Sequence, residues 1–243
     1  KFKIIMKQIL FAIFLNLTLQ SVFAQVFISS GQITYERKIN LWAGIPDDSF
    51  EGLKNMIPEF KKDIFTLDFT ADKSLYSPKG EQKKLPIPLP ALQNIVYTDL
   101  SAGKNISSKN IFEKNYLIES ELNKATWKIK DDFREIAGFN CRRATTILFD
   151  SVFVVAFYTE EIIPSVGPES FNGLPGTILG LVINRLHTTW YATSVEVDHI
   201  DEQKIIPPAK GIKSSVDEIK NNLSGLTKNL EDKGNQLFWM IEI

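Results

Sequence analysis

The sequence predicts a mainly β (α+β) protein built on a single antiparallel sheet, with helices in only two places. Three observations lead there. Short β-prone runs, punctuated by Gly, Asn and Asp, follow one another from residue 26 to residue 197 without the alternating helices that a parallel sheet needs. A proline- and glycine-rich stretch over 162–179 is flanked by apolar runs, as a corner between strands is. One helical stripe appears near the end, where Ile212, Val216, Ile219, Leu223, Leu226 and Leu230 recur at alternating spacings of four and three.

Residues 1–24 read as a leader rather than as fold. Lys1, Lys3 and Lys7 make a basic start, 9–19 is a short apolar core, and Val22-Phe23-Ala24 ends in the small residue of a cleavage site, with Gln25 first in the mature chain. Asn16 and Thr18 interrupt the apolar run, which is too short to span a bilayer. The expectation is an exported protein of the periplasm or cell envelope, with 25–243 as one β-rich domain. A long strand over 26–42 comes first. A short helix follows, with Phe50, Leu53, Ile57 and Phe60 on one face and Pro58 interrupting it. Residues 64–69 and 73–77 form a hairpin around Ala71-Asp72, and Pro86, Pro88 and Pro90 mark an extended surface segment. Strands continue over 94–100, 105–112, 116–121, 125–130, 133–136, 139–149 and 152–158, and the last is 188–197. The helix runs over 212–233, stopped by Gly234, and Phe238-Trp239-Met240-Ile241 closes the chain as a strand or plug.

Within the corner, Pro175-Gly176 predicts a type II turn over 174–177, because proline presets φ at its second position and glycine supplies a positive φ at its third. Gly167, Pro168, Gly173, Leu174, Pro175 and Gly176 are therefore either a structural brace or a contact site for a partner. The glycines do not make a phosphate loop: no Gly-Lys-Ser/Thr follows them, and a strand rather than a helix comes next.

The charge balance, −1 overall, gives no electrostatic footprint for nucleic acid. Hydrophobic content of 44% with 23% charged residues is that of a globular chain. Cys141 is the sole cysteine, which excludes an intrachain disulfide and reads as a buried thiol. Asp198-His199-Ile200-Asp201 is the one run that resembles a metal cluster, and alternation along a strand separates its ligands, so no metal and no cofactor is expected. No His-Glu-x-x-His and no Gly-x-Ser-x-Gly occurs, so no catalytic residues are assigned and a hydrolase is the least supported class. Phe153, Phe157, Trp190 and Trp239 lie in expected strands and are either core or the wall of an apolar pocket. Lys61-Lys62 reads as solvated charge.

From Trp127 to Leu181 the chain resembles the GLPGLI family of exported proteins from Gram-negative bacteria. The residues that carry this are Trp127, Ile136-Ala137-Gly138-Phe139-Asn140-Cys141-Arg142-Arg143-Ala144, Phe157-Tyr158-Thr159, Gly167-Pro168 and Phe171-Asn172-Gly173-Leu174-Pro175-Gly176, with Gln32-Ile33-Thr34-Tyr35-Glu36 near the mature start. Thr177 stands where the family usually has leucine, Phe157 where it usually has tryptophan, and Pro164 lies one position late. The resemblance implies a β-rich envelope protein. By analogy of fold it suggests a curved, LolA-like half-barrel such as lipoprotein carriers form, with helices over an apolar concave face. The function expected is non-enzymatic binding of an apolar ligand, or of an outer-membrane or other envelope protein. The alternative is a structural module of an outer-membrane assembly.

Overall fold

The computed structural model describes residues 2–3, 7, 27–43, 45, 51–81, 85–86, 89–112, 114–122, 125–227 and 232–243. The leader and its cleavage site, the start of the first helix and part of the Pro86–Pro90 segment lie outside or only partly within these residues.

Twelve strands form one sheet: β1 (Gly31–Asn40), β2 (Phe60–Phe69), β3 (Lys73–Pro78), β4 (Ile95–Asp99), β5 (Lys104–Ile111), β6 (Lys114–Glu121), β7 (Lys128–Ile136), β8 (Phe139–Leu148), β9 (Val152–Thr159), β10 (Thr177–Ile183), β11 (Thr188–Val197) and β12 (Ile212–Lys213). Their order is β12-β6-β5-β4-β3-β2-β1-β11-β10-β9-β8-β7. Two meanders, β1 to β6 and β7 to β11, meet where β1 pairs with β11. All ladders are antiparallel except the short one between β12 and β6. Among the described residues, the α-helices that accompany the sheet are α1 (Glu51–Lys54), α2 (Val216–Thr227) and α3 (Asp232–Glu242).

The connection from β6 to β7 dictates the shape. These strands lie ten places apart in the sheet, about 48 Å if it were flat. Residues 122–127 join them, and so short a link spans at most roughly 24 Å. The sheet therefore bends until its two ends approach. Alternation along β1 sends Ile33, Tyr35, Arg37 and Ile39 to the inner face, and Phe65, Leu67, Tyr76, Val154, Ala156 and Leu181 join them in the main core. Phe65 stacks on Tyr76 with ring centres 4.8 Å apart. A smaller core, Ile111, Ile118, Ile219 and Ile241, fastens α2 and α3 over β5 and β6.

The LolA-like half-barrel is not what the chain forms. The sheet has twelve strands, does not close into a barrel, and carries only short helices. The expected helix over 212–233 is displaced. Ile212 belongs to β12, and Ser215 caps α2 reciprocally with Glu218: the Ser215 hydroxyl accepts from Glu218 N at 3.2 Å, and the Glu218 carboxylate accepts from Ser215 N at 3.0 Å. Residues 238–241, expected as a final strand or plug, are helical, within α3, and Gly234 lies inside that helix rather than ending it. Burial of Trp239 and Ile241 outweighs the ~1 kcal/mol helix penalty of one glycine.

Candidate functional site

The proline- and glycine-rich stretch lies against the inner face of the sheet, with Ile162, Val166, Phe171 and Leu174 in the main core. Its first end forms a parallel bridge with Ile28. Further on, Ile178 N donates to Val166 O at 2.9 Å and Thr177 N to Ile162 O at 3.1 Å. The expected type II turn is replaced by a tighter one, in which Gly176 N donates to Leu174 O at 2.8 Å. Gly176 has φ +138, and a Cβ there would lie 2.1 Å from the Thr159 carbonyl oxygen, so the close approach of two backbones requires glycine. Trp127 donates to Asn172 O at 2.9 Å and its ring covers Gly173. The Thr177 hydroxyl donates to Pro164 O at 2.6 Å. Of the six residues singled out, Gly167, Pro168, Leu174 and Gly176 are buried, and only Gly173 and Pro175 are exposed. The stretch is chiefly an internal brace.

It also delivers a charge that sequence reading missed. Glu169 is buried at φ +54 and accepts from Asn94 Nδ2 at 2.9 Å, with Tyr76 as a further hydrogen-bond partner. Arg37 Nη1 lies 3.7 Å from it, while Arg37 Nη2 binds Asp63 at 2.8 Å and the Leu92 carbonyl at 2.6 Å. Lys61 pairs with Asp63, also buried. The pair Lys61-Lys62 is therefore not uniformly solvated: alternation turns Lys61 inward beside Asp63 and leaves Lys62 outside with Glu36. Burial raises the Glu169 carboxyl above its ordinary range, against the lowering influence of Arg37 and Lys109. The nearby Lys109 ammonium donates to Ile241 O at 2.8 Å and is lowered by burial to about 8. Ser170 donates to Ile243 O at 2.9 Å, so Lys109 and Ser170 together hold the end of α3. The signal for this network was strand alternation, since Lys61 and Asp63 are two apart, as are Asn105, Ser107 and Lys109.

The four aromatic residues do not converge. Trp190 and Trp239 are buried on the inner side, and Trp190 donates to the Tyr76 hydroxyl at 3.2 Å. Phe153 and Phe157 have the opposite parity on β9 and face outward. Trp239 is on a helix, not a strand. The inner face holds one cavity of about 30 Å³ beside Arg37 and one of about 80 Å³ beside Lys109. Both are far below the several hundred Å³ of a typical small-molecule pocket. Cys141 is buried, and burial pushes its thiol up to about 12. Among the described residues no group of three or more His, Cys, Asp or Glu is placed to hold a metal, and no helix is long and apolar enough to cross a membrane.

The outer face carries an apolar cluster at the tip of the β8–β9 hairpin. Ile147 and Phe153 are directly paired across the two strands, 62% and 44% exposed. Phe149, 39% exposed, and Asp150 take the two central positions of the turn over 148–151, at φ +50 and +58, within the three-residue link 149–151, and Ser151 N closes the turn on Leu148 O at 3.1 Å. Such turns favour Asn-Gly, and a bulky aromatic residue at positive φ is strained.

The chain matches no family model and no curated protein. Solved structures of PNGF-II in two crystal forms, C2 and P21, are similar to it, with TM-scores of 0.51 and 0.50, identities of 16% and 15%, and coverage of 88% and 79% of this chain. It spans about a third of the length of those chains (33% and 32%), and at this identity what it shares with them is a fold.

Proposed function

We propose that this chain is a non-enzymatic, exported cell-envelope protein of the GLPGLI type that binds a protein partner through the tip of the β8–β9 hairpin. One observation carries the reading: an exposed aromatic residue, Phe149, is kept in a strained turn beside the exposed Ile147–Phe153 pair. Strain at a surface position, where asparagine or glycine would relieve it, points to a role for the side chain outside the fold. An exposed apolar cluster on an otherwise well-packed protein is the usual mark of a contact surface. A partner on this face leaves the brace and its charges undisturbed on the other. The apolar-ligand alternative has less support, because the two cavities described on the inner face, of about 30 and 80 Å³, are smaller than a lipid chain needs.

The test places a photo-crosslinking residue at Phe153 in cells exporting the full chain. The expected result is one discrete protein adduct in the envelope fraction, lost when Phe149→Asn and Ile147→Thr are combined. Phe149→Asn should meanwhile stabilise the isolated protein by about 1 kcal/mol in urea titration, since it relieves the turn. Loss of contact with gain of stability separates a docking residue from a structural one. An adduct that survives both substitutions, or no adduct in exported protein, overturns the proposal. Amino-terminal sequencing of the same material should begin at Gln25.

A further inference from the structure

An antiparallel meander sends alternate turns to opposite ends of its sheet, and one end here collects exposed aromatic residues. The β5–β6 hairpin places Phe112 there, 38% exposed at φ +47 between the paired Ile111 and Lys114. The β1–β2 connection brings Trp42 and Phe60 to the same end, both exposed. Phe112 is thus a second aromatic residue, with Phe149, held at a hairpin tip in a conformation that asparagine or glycine adopts more easily. Basic residues gather at this end too. Among the described residues Lys79, Lys114, Lys128, Arg185 and Lys210 are exposed there, against Glu59, Glu81 and Asp150. The Lys38 ammonium lies 3.8 Å from the centre of the Phe60 ring. The far end is acidic: Glu121, Glu135, Glu160, Glu196 and Asp198 are exposed, while Lys73 and Lys104 are each paired with a glutamate.

We propose that the aromatic, basic end seats on the surface of an anionic bilayer. Phe112, Trp42 and Phe60 enter the headgroup layer, and the lysines lie against lipid phosphates. Two observations favour a bilayer over a protein at these residues. The aromatic side chains stand on separate strands, at one flank of the sheet and in its middle, and form no single patch. A rigid partner needs one continuous surface, whereas a bilayer admits each tip separately. The charge runs the right way along the strands, with the acidic end turned from the membrane. No described helix is long and apolar enough to cross a membrane, so the contact is peripheral. This seat goes beyond the partner contact of the β8–β9 hairpin and shares no residue with it.

Flotation of the exported chain with two kinds of vesicle tests this, one of phosphatidylcholine mixed with phosphatidylglycerol and one of phosphatidylcholine alone. Binding to the mixed vesicles should be at least about fivefold stronger, and should weaken as salt is added. Phe112→Asn should reduce it about tenfold, with the fold retained because asparagine suits a positive φ. Emission from Trp42, read as the difference between the parent and Trp42→Phe, should shift to shorter wavelength on the mixed vesicles. Phe149→Asn should bind them as the parent does, so failure of the hairpin contact and failure of the membrane seat are read separately. No binding, equal binding to both vesicles, binding that Phe112→Asn leaves unchanged, or binding without a shift of Trp42 overturns the proposal.

Discussion

Glu169 occupies a left-handed backbone conformation in a desolvated position, two unfavourable conditions that only its partners offset. Glu169→Ala strands Arg37, Asn94 and Tyr76 in the core and should cost about 3–5 kcal/mol in urea titration, whereas Glu169→Gln, a neutral isostere, should cost less. Lys109 gives a pH signature. The charged groups that raise it are Glu169 and Glu242, and desolvation outweighs both, taking the ammonium from its ordinary 10.5 to about 8. Between those values the unfolded chain keeps a proton that the folded chain has released. The Lys109 contribution to stability therefore rises with pH across that window, by up to roughly 3 kcal/mol. Lys109→Met should remove that rise in pH-dependent denaturant titrations of the two proteins. Glu169 was not marked out by its own neighbourhood in sequence. Glu169 sits among prolines and glycines with no periodicity to give its direction, and its partner Arg37 lies in the first strand. Lys61 and Asp63 were more legible, because a strand turns residues two apart to the same face.

Elements whose ends are set by local turn chemistry were the readable ones. The Ala71-Asp72 hairpin joins β2 and β3 as expected, and β11 covers the expected 188–197. The C-terminal elements were not, because their boundaries depend on competing local signals and on burial. The Ser215-x-x-Glu218 box, which starts α2, was present in the sequence and was outweighed by an apolar stripe extending past it. α3 exists because Ile241 and Trp239 gain a surface to cover. The small core that holds both helices should behave as a unit apart from the main one. Ile219→Ala, at a residue 1% exposed, should cost about 2–4 kcal/mol. In hydrogen-exchange mass spectrometry, protection should fall in β6, α2 and α3 and stay unchanged in β8 to β10. Uniform loss across the sheet would mean that the two cores unfold together.

A bent, open sheet keeps two edges that a barrel would remove. One is covered: β12 pairs with β6, and Gly211 before it, at φ +146, lies where a Cβ would press on Leu117 N at 3.0 Å. The other is β7, which pairs only with β8 and is exposed along nearly its whole length. Exposed strand edges recruit other chains unless charge or a bulge prevents it. β7 has both devices. Its register slips between Ile129 and Phe133, and the displaced Asp131 and Asp132 are tied to Arg142 and Arg143, the latter at 2.6 Å. These surface pairs add little to stability, about 0–1 kcal/mol each. Their larger effect is to keep two carboxylates on an edge that also carries the exposed Ile129 and Phe133. Asp131→Val combined with Asp132→Val should therefore leave the urea midpoint nearly unchanged and cause concentration-dependent self-association, read by light scattering. A lowered midpoint without association would assign the acidic pair to stability instead. The same variant with Ile129→Lys should return to the parent's behaviour, because a single positive charge restores the barrier at the edge without rebuilding either ion pair.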